Sequence, residues 1–120
     1  MKRSRVVIKI GGRAMEAPGA TRELASAIGS LPGEAIVVHG GGAEVSAWSG
    51  RLGIPPRFVD GLRVTDTPTL EVVVAVLAGL ANKRLVAELR EAVAVVLDLQ
   101  PQSRGGPGPE GRRNLEVQVV

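Results

Sequence analysis

An α/β fold on a mainly parallel sheet is what this sequence predicts, and three observations predict it. Two short β-branched runs, Val6–Ile10 and Ala35–Val38, are each closed by glycines, and each glycine cluster is followed by residues at helical spacing. The clusters are Gly11-Gly12 and Gly40-Gly41-Gly42. The repeated order of strand, glycines and helix calls for crossover connections between parallel strands, and ligands of such sheets gather where the strands end. Both clusters fall at that end.

Taken in order, Val6–Ile10 is the first strand. Thr21 is placed to cap a helix whose Leu24, Ala25 and Ile28 share a face and which Gly29 stops. Ala35–Val38 is the second strand. After it Val45, Trp48 and Leu52 form the stripe of a second helix ending at Gly53. Ile54–Val59, with tandem prolines, is a connector holding at most a brief strand, and Asp60–Thr65 follows as a loop. Thr67 before Pro68 starts a helix with Leu70, Val73, Val74 and Leu77 along one side, and Leu85, Val86 and Leu89 extend it beyond Gly79 as one bent helix or two. Val93–Leu99 and Leu115–Val120 read as strands around a Pro-, Gly- and Arg-rich stretch, which predicts a long-looped hairpin at the sheet edge. The last strand runs to the final residue, so a fragment of a larger fold is expected.

The bulk numbers narrow the function. The 120 residues are 44% hydrophobic, enough for one core and one domain. With no cysteine and one histidine, a disulfide framework is excluded and no protein-bound metal is expected. The net charge is +3, but Trp48 and Phe58 are the only rings, so base-stacking platforms are missing and nucleic acid is not expected as a partner. The basic start is followed by too short an apolar run for a signal sequence or a membrane span, and a cytoplasmic setting is expected.

No G-x-x-x-x-G-K-[ST] loop is present, which excludes a Walker-type ATPase. Gly106, Gly108 and Gly111 spell G-x-G-x-x-G, but Pro107 and Pro109 interrupt it and no helix pattern follows, so a flexible loop is the better reading. Lys9 lies inside an apolar strand one step before the first glycines. Either it snorkels to the surface or it faces a phosphate at the strand end. The two glycine clusters let a ligand approach the backbone, and the second opens a helix whose free N–H groups favour anions. His39 has no partner for nucleophilic catalysis and reads as structural. Arg63, in a glycine-containing loop, is either a surface arginine or a fork for a carboxylate.

Together, Val-Ile-Lys9-Ile-Gly-Gly12, Ile-Val-Val-His39-Gly-Gly-Gly42, Arg51-Leu-Gly-Ile-Pro, Phe58-Val-Asp-Gly-Leu-Arg63-Val-Thr-Asp66 and Leu80-Ala-Asn82-Lys resemble the N-terminal half of acetylglutamate kinases, of the amino-acid kinase family, over about residues 5 to 92. The resemblance implies an open, mainly parallel αβα sandwich, here truncated to a single acceptor-binding lobe over residues 1–120 with a C-terminal β-hairpin and no nucleotide-binding lobe. It implies ATP-dependent phosphorylation of the side-chain carboxylate of N-acetyl-L-glutamate in arginine biosynthesis, with magnesium-ATP as co-substrate and a homo-oligomeric state. Carried over by motif, Lys9, Gly12 and Gly41 stabilise the transferred phosphoryl group, Gly41 and Gly42 hold the acceptor, and Arg63 clamps its α-carboxylate. After Ala92 the sequence departs from the Gly-Leu-Ser-Gly-x-Asp-Gly stretch expected of that family. Its second lysine, aspartate and acceptor-binding asparagine belong to a half that is absent. Two alternatives stand beside this one: a sister kinase for a carrier-bound aminoadipate or glutamate, and a catalytically inactive self-association module using the helix from Leu70 to Leu89.

Overall fold

The computed structural model describes residues 4–92 together with the backbone of 95–98 and 114–119. The first β-branched run forms β1 (Arg5–Ile10). Gly12–Met15 make a single 3₁₀ turn, and α1 (Ala20–Gly29) follows. The left-handed Gly19 (φ 78°), not Thr21, precedes α1. Thr21 lies within the first turn, and no side chain caps it. Ala25 and Ile28 are buried and Leu24 packs beside them, as the spacing predicts.

β2 (Glu34–His39) lies parallel to β1 with Lys9 opposite Val38 and Ile10 opposite His39, so the two strands finish level. The Gly40 N–H continues the ladder to the Ile10 carbonyl at 3.0 Å. α2 (Gly42–Arg51) begins directly after the glycines. Its buried positions are Val45 and Ser49, whereas Leu52 at the end of the predicted stripe is exposed, beyond the helix.

The brief strand allowed at the end of the connector is β3 (Phe58–Val59), and the stretch expected as a loop holds its antiparallel partner β4 (Leu62–Arg63), so the two make a small hairpin. Its turn has positive φ at both central residues, Asp60 (49°) and Gly61 (77°), which is the backbone an Asp-Gly pair favours between strands.

α3 (Thr67–Val73) is capped by Asp66, whose carboxylate accepts the Thr69 N–H at 3.1 Å; Thr67 is the first helical residue and Pro68 follows in the first turn. The chain continues through π-helical turns over Val74–Ala81 into α4 (Asn82–Ala92). The buried positions run Thr69, Val72, Val76, then step by five to Ala81 and Asn82, then Leu85, Val86 and Leu89. The wider turn therefore rotates the buried face partway along the helix. This is why the predicted stripe is out of phase in its first half, where Leu70 and Val74 are exposed, and correct in its second.

β5 (Val95–Asp98) and β6 (Asn114–Val119) complete a four-stranded parallel sheet in the order β1-β2-β6-β5. The predicted C-terminal hairpin is thereby corrected. Val96 pairs with Leu115 in parallel register, and β6 lies inside the sheet beside β2, not at its edge. Alternation identifies a strand but not its neighbour, and parallel strands need a crossover where a hairpin would turn back directly. Residues 99–113, with the G-x-G-x-x-G stretch, lie outside the described residues.

Ile8 and Ile10 of β1 and Ala35 and Val37 of β2 point to one face, where α1 and α4 cover them. Leu85 and Leu89 are fully buried there, each contributing about 1.5–3 kcal/mol of burial. A second cluster, Val45, Val72 and Val76 with Trp48 and Leu77, joins α2 to α3 and the π-helical turns at the end of the sheet. On the other face Val7 is 68% exposed and Lys9 is exposed. The α/β class and the mainly parallel sheet are as the sequence predicts, with α1 and α4 packed on one face.

Candidate functional site

The parallel register brings the two glycine clusters into contact. A side chain at Gly12 would stand 2.8 Å from the Gly41 Cα and 3.0 Å from the Gly41 nitrogen, so the two backbones touch across the strand ends. Gly41 is backed in turn by Leu77, whose Cδ2 would lie 2.9 Å from a Cβ at that position. Gly42 faces open space and begins α2, whose first N–H groups carry the positive end of the helix dipole.

Over Gly12 and Gly42 lies a cleft of about 330 Å³, lined also by Arg13, Glu16, Ala43, Ser46, Phe58 and Arg63. Arg63 comes from β4, and its Nη2 donates to the Gly42 carbonyl at 3.0 Å and to Ser46 Oγ at 2.8 Å. Its guanidinium carbon stands 4.8 Å from the centre of the Phe58 ring, stacked on the side chain opposite it in the hairpin. Nη1 is buried and has no hydrogen-bond partner among the described residues. An unmatched donor of this kind costs about 1–3 kcal/mol until an acceptor arrives, and a planar fork fits a carboxylate best. A second cleft of about 370 Å³ opens on the other side of Gly12 and Gly41, bordered by Thr21, Glu44 and Arg84, the last two joined as an ion pair.

Of the residues the sequence singles out, Gly12, Gly41, Gly42 and Arg63 are brought together. Lys9 is not in either cleft; it stands on β1 three residues before Gly12, on the face of the sheet turned away from α1 and α4. Two polar residues of this region are given no role by the sequence. Ser46 is one helical turn beyond Gly42, where its hydroxyl meets Arg63, and a serine in the first turns of a glycine-led helix is the only signal. Asn82, which enters the sequence reading only as part of the Leu80-Ala-Asn82-Lys motif, is fully buried and bonded to the buried His39.

Asp66, at the foot of the hairpin, has its carboxyl held below the usual range by the hydrogen bonds of Thr69, its side-chain contact first, with Arg57 adding a smaller attraction.

The sequence matches the amino acid kinase family over residues 4–104. The chain belongs to the amino acid kinase family. Among its curated relatives, the acetylglutamate kinase of Methanopyrus kandleri is 56% identical over 84 residues, covering 70% of this chain and 31% of the relative. That of Dehalococcoides mccartyi is 42% identical over 106 residues, covering 88% of this chain and 36% of the relative. The chain thus spans about a third of the length of these relatives. Among solved structures, smu.665 from Streptococcus mutans superposes with a TM-score of 0.63 at 30% identity, covering 80% of this chain and 40% of that one. An N-acetylglutamate synthase from Neisseria gonorrhoeae, solved with coenzyme A and N-acetyl-glutamate, gives a TM-score of 0.63 at 26% identity over 79% of this chain and 23% of that one. These likenesses agree with the α/β class and the parallel sheet of this family member. No helix among the described residues is long and apolar enough to cross a membrane.

Proposed function

We propose that this chain is the acceptor-binding part of an acetylglutamate kinase, which in complete form phosphorylates the side-chain carboxylate of N-acetyl-L-glutamate with ATP, in the cytoplasm and in arginine biosynthesis. The observation that carries the reading is Arg63: a guanidinium braced by Gly42 and Ser46, stacked on Phe58, and left with one buried donor unpaired beside a glycine floor. A dicarboxylic acceptor would set its α-carboxylate on this fork and its side-chain carboxylate over Gly41 and Gly42.

The chemistry suits such residues. A carboxylate acceptor, with an ordinary value of about 4.3, is already ionised at neutral pH, so transfer needs positioning and charge neutralisation more than a base. Magnesium-ATP would supply the phosphoryl group. Backbone N–H groups of Gly12 and Gly41 would meet its developing charge, and Lys9, from the end of β1, would add a cation; removing one such donor costs about 3 kcal/mol of transition-state stabilisation, which Lys9→Ala should show in a complete enzyme. The names of the relatives favour N-acetyl-L-glutamate over a carrier-bound aminoadipate. Self-association is a second property we propose, favoured by the exposed Leu70, Val74 and Leu80 along the long helix; a sedimentation mass of one chain would contradict it.

Calorimetric titration of N-acetyl-L-glutamate into the chain tests the acceptor site. Saturable binding weakened at least tenfold by Arg63→Ala is expected, since an unpaired partner of a charged hydrogen bond costs about 2–5 kcal/mol. Absence of binding by a folded chain contradicts the proposal.

A further inference from the structure

The only histidine of the chain is 1% exposed at the end of β2, and the reaction outlined above gives it no role. Its Nδ1 lies 3.1 Å from the carbonyl oxygen of Gly40, and its Nε2 lies 3.3 Å from Nδ2 of Asn82, which is fully buried. A carbonyl oxygen can only accept, so Nδ1 carries the proton and Nε2 presents its lone pair. Nε2 then needs a donor, and the amide nitrogen of Asn82 is one. The other end of the amide agrees independently, because Lys83 Nζ stands 3.1 Å from Asn82 Oδ1 and an ammonium can only donate. The chain of bonds from Lys83 through Asn82 and His39 to Gly40 has one consistent set of roles.

The consequence lies in the peptide that Gly40 shares with Gly41. That unit is planar and trans, so holding its C=O toward the His39 ring turns its N–H, which belongs to Gly41, the opposite way. A Cβ built on Gly12 would stand 3.0 Å from the Gly41 nitrogen, and Gly12 and Gly41 together border the cleft of about 370 Å³. Glycine residues impose little preference on this peptide, and a rotated Gly40–Gly41 unit would aim the N–H elsewhere.

We propose that His39, as the Nδ1–H tautomer and braced by Asn82, is a positioning residue that sets the Gly40–Gly41 peptide and so turns the Gly41 N–H away from the core, toward the glycine floor that Gly41 shares with Gly12. The inference rests on the acceptor reading for what that N–H binds, but not for the geometry itself. Being buried, the pair has no water to substitute for a lost partner, so the setting is firm while both residues are present.

With a single histidine, ¹⁵N-labelled chain gives one imidazole spectrum. At pH 7.5 it should show the Nδ1–H tautomer, and an Nε2–H tautomer would overturn the proposal. His39→Asn keeps a donor near the position of Nδ1, whereas His39→Leu removes it. Both variants should lose comparable thermal stability. Only His39→Leu should move the amide signals of Gly40 and Gly41 while the α1 signals stay in place, and it should weaken N-acetyl-L-glutamate binding about tenfold, with His39→Asn within about threefold of the parent. Equal effects of the two variants on the glycine amides would mean that His39 only fills space, and would overturn the proposal. If the parent chain binds no acceptor, the acceptor reading fails while the tautomer and the glycine amides still decide the positioning role.

Discussion

The two glycine clusters look alike in the sequence and differ in what confines them. Gly12, after β1, is closed by main chain: a Cβ there would meet the Gly41 backbone at 2.8 Å. Gly41, after β2, is closed by the far end of a leucine side chain, and Gly42 next to it has nothing within 4 Å. Main chain at the end of a paired sheet cannot step aside, whereas a leucine tip can change rotamer. The contrast teaches that a glycine-rich floor has a hard side and a yielding side, and that the yielding side is where the helix from Thr67 to Ala92 bears on the site through Leu77 and, at Asn82, through His39.

Substitutions at the three glycines separate the two sides. Gly12→Ala should have the largest effect, lowering stability by about 1–3 kcal/mol and abolishing measurable acceptor binding, because the strand ends must part. Thermal melts and calorimetry would show it, and a parent-like variant would mean that the two backbones are not locked together. Gly41→Ala should cost less and should be partly restored by Leu77→Ala in a double-mutant cycle, a restoration that Leu77→Ala should not give to Gly12→Ala. Gly42→Ala should leave stability within about 0.5 kcal/mol of the parent, as for an open surface position, and any loss should appear in acceptor affinity alone.

The smallest effect should come from Asp66, the cap of α3. Its folded-state value is depressed by the Thr69 hydrogen bonds, so its contribution is fully present above the unfolded value of about 3.9 and is lost as the pH falls through the lower folded value. Melting temperatures of the parent and of Asp66→Asn should therefore differ at pH 6 and converge as the pH is taken below about 4. A constant gap would show that the carboxylate charge does not matter to the cap.

Much of the site was legible from sequence because it depends on local pattern. A β-branched run stopped by glycines gives a strand and its end, and two of these in succession place Gly12 and Gly41 near each other once the strands are taken as parallel. What sequence missed depends on phase or on distant partners. The π-helical turns shift the buried face by a residue, so Leu70 and Val74 read as core and stand exposed. The Asp60-Gly61 pair carried a hairpin signal that a loop reading overlooked, and Asp66 takes the capping place assigned to Thr67 one residue later. The pairing of β5 with β6 was unreadable because alternation is the same in parallel and antiparallel strands. Lys9 was identified by its odd placement in an apolar strand, yet it stands outside both clefts, so its proposed role depends on a phosphoryl group reaching the end of β1.

The most direct test of the acceptor floor is a ¹H–¹⁵N titration of the labelled chain with N-acetyl-L-glutamate. Saturable shifts concentrated on the amides of Gly41, Gly42 and Ser46 and on the Arg63 guanidinium are expected. Saturable shifts confined to the surface around Val7 and Lys9, or none from a well-folded chain, would contradict it.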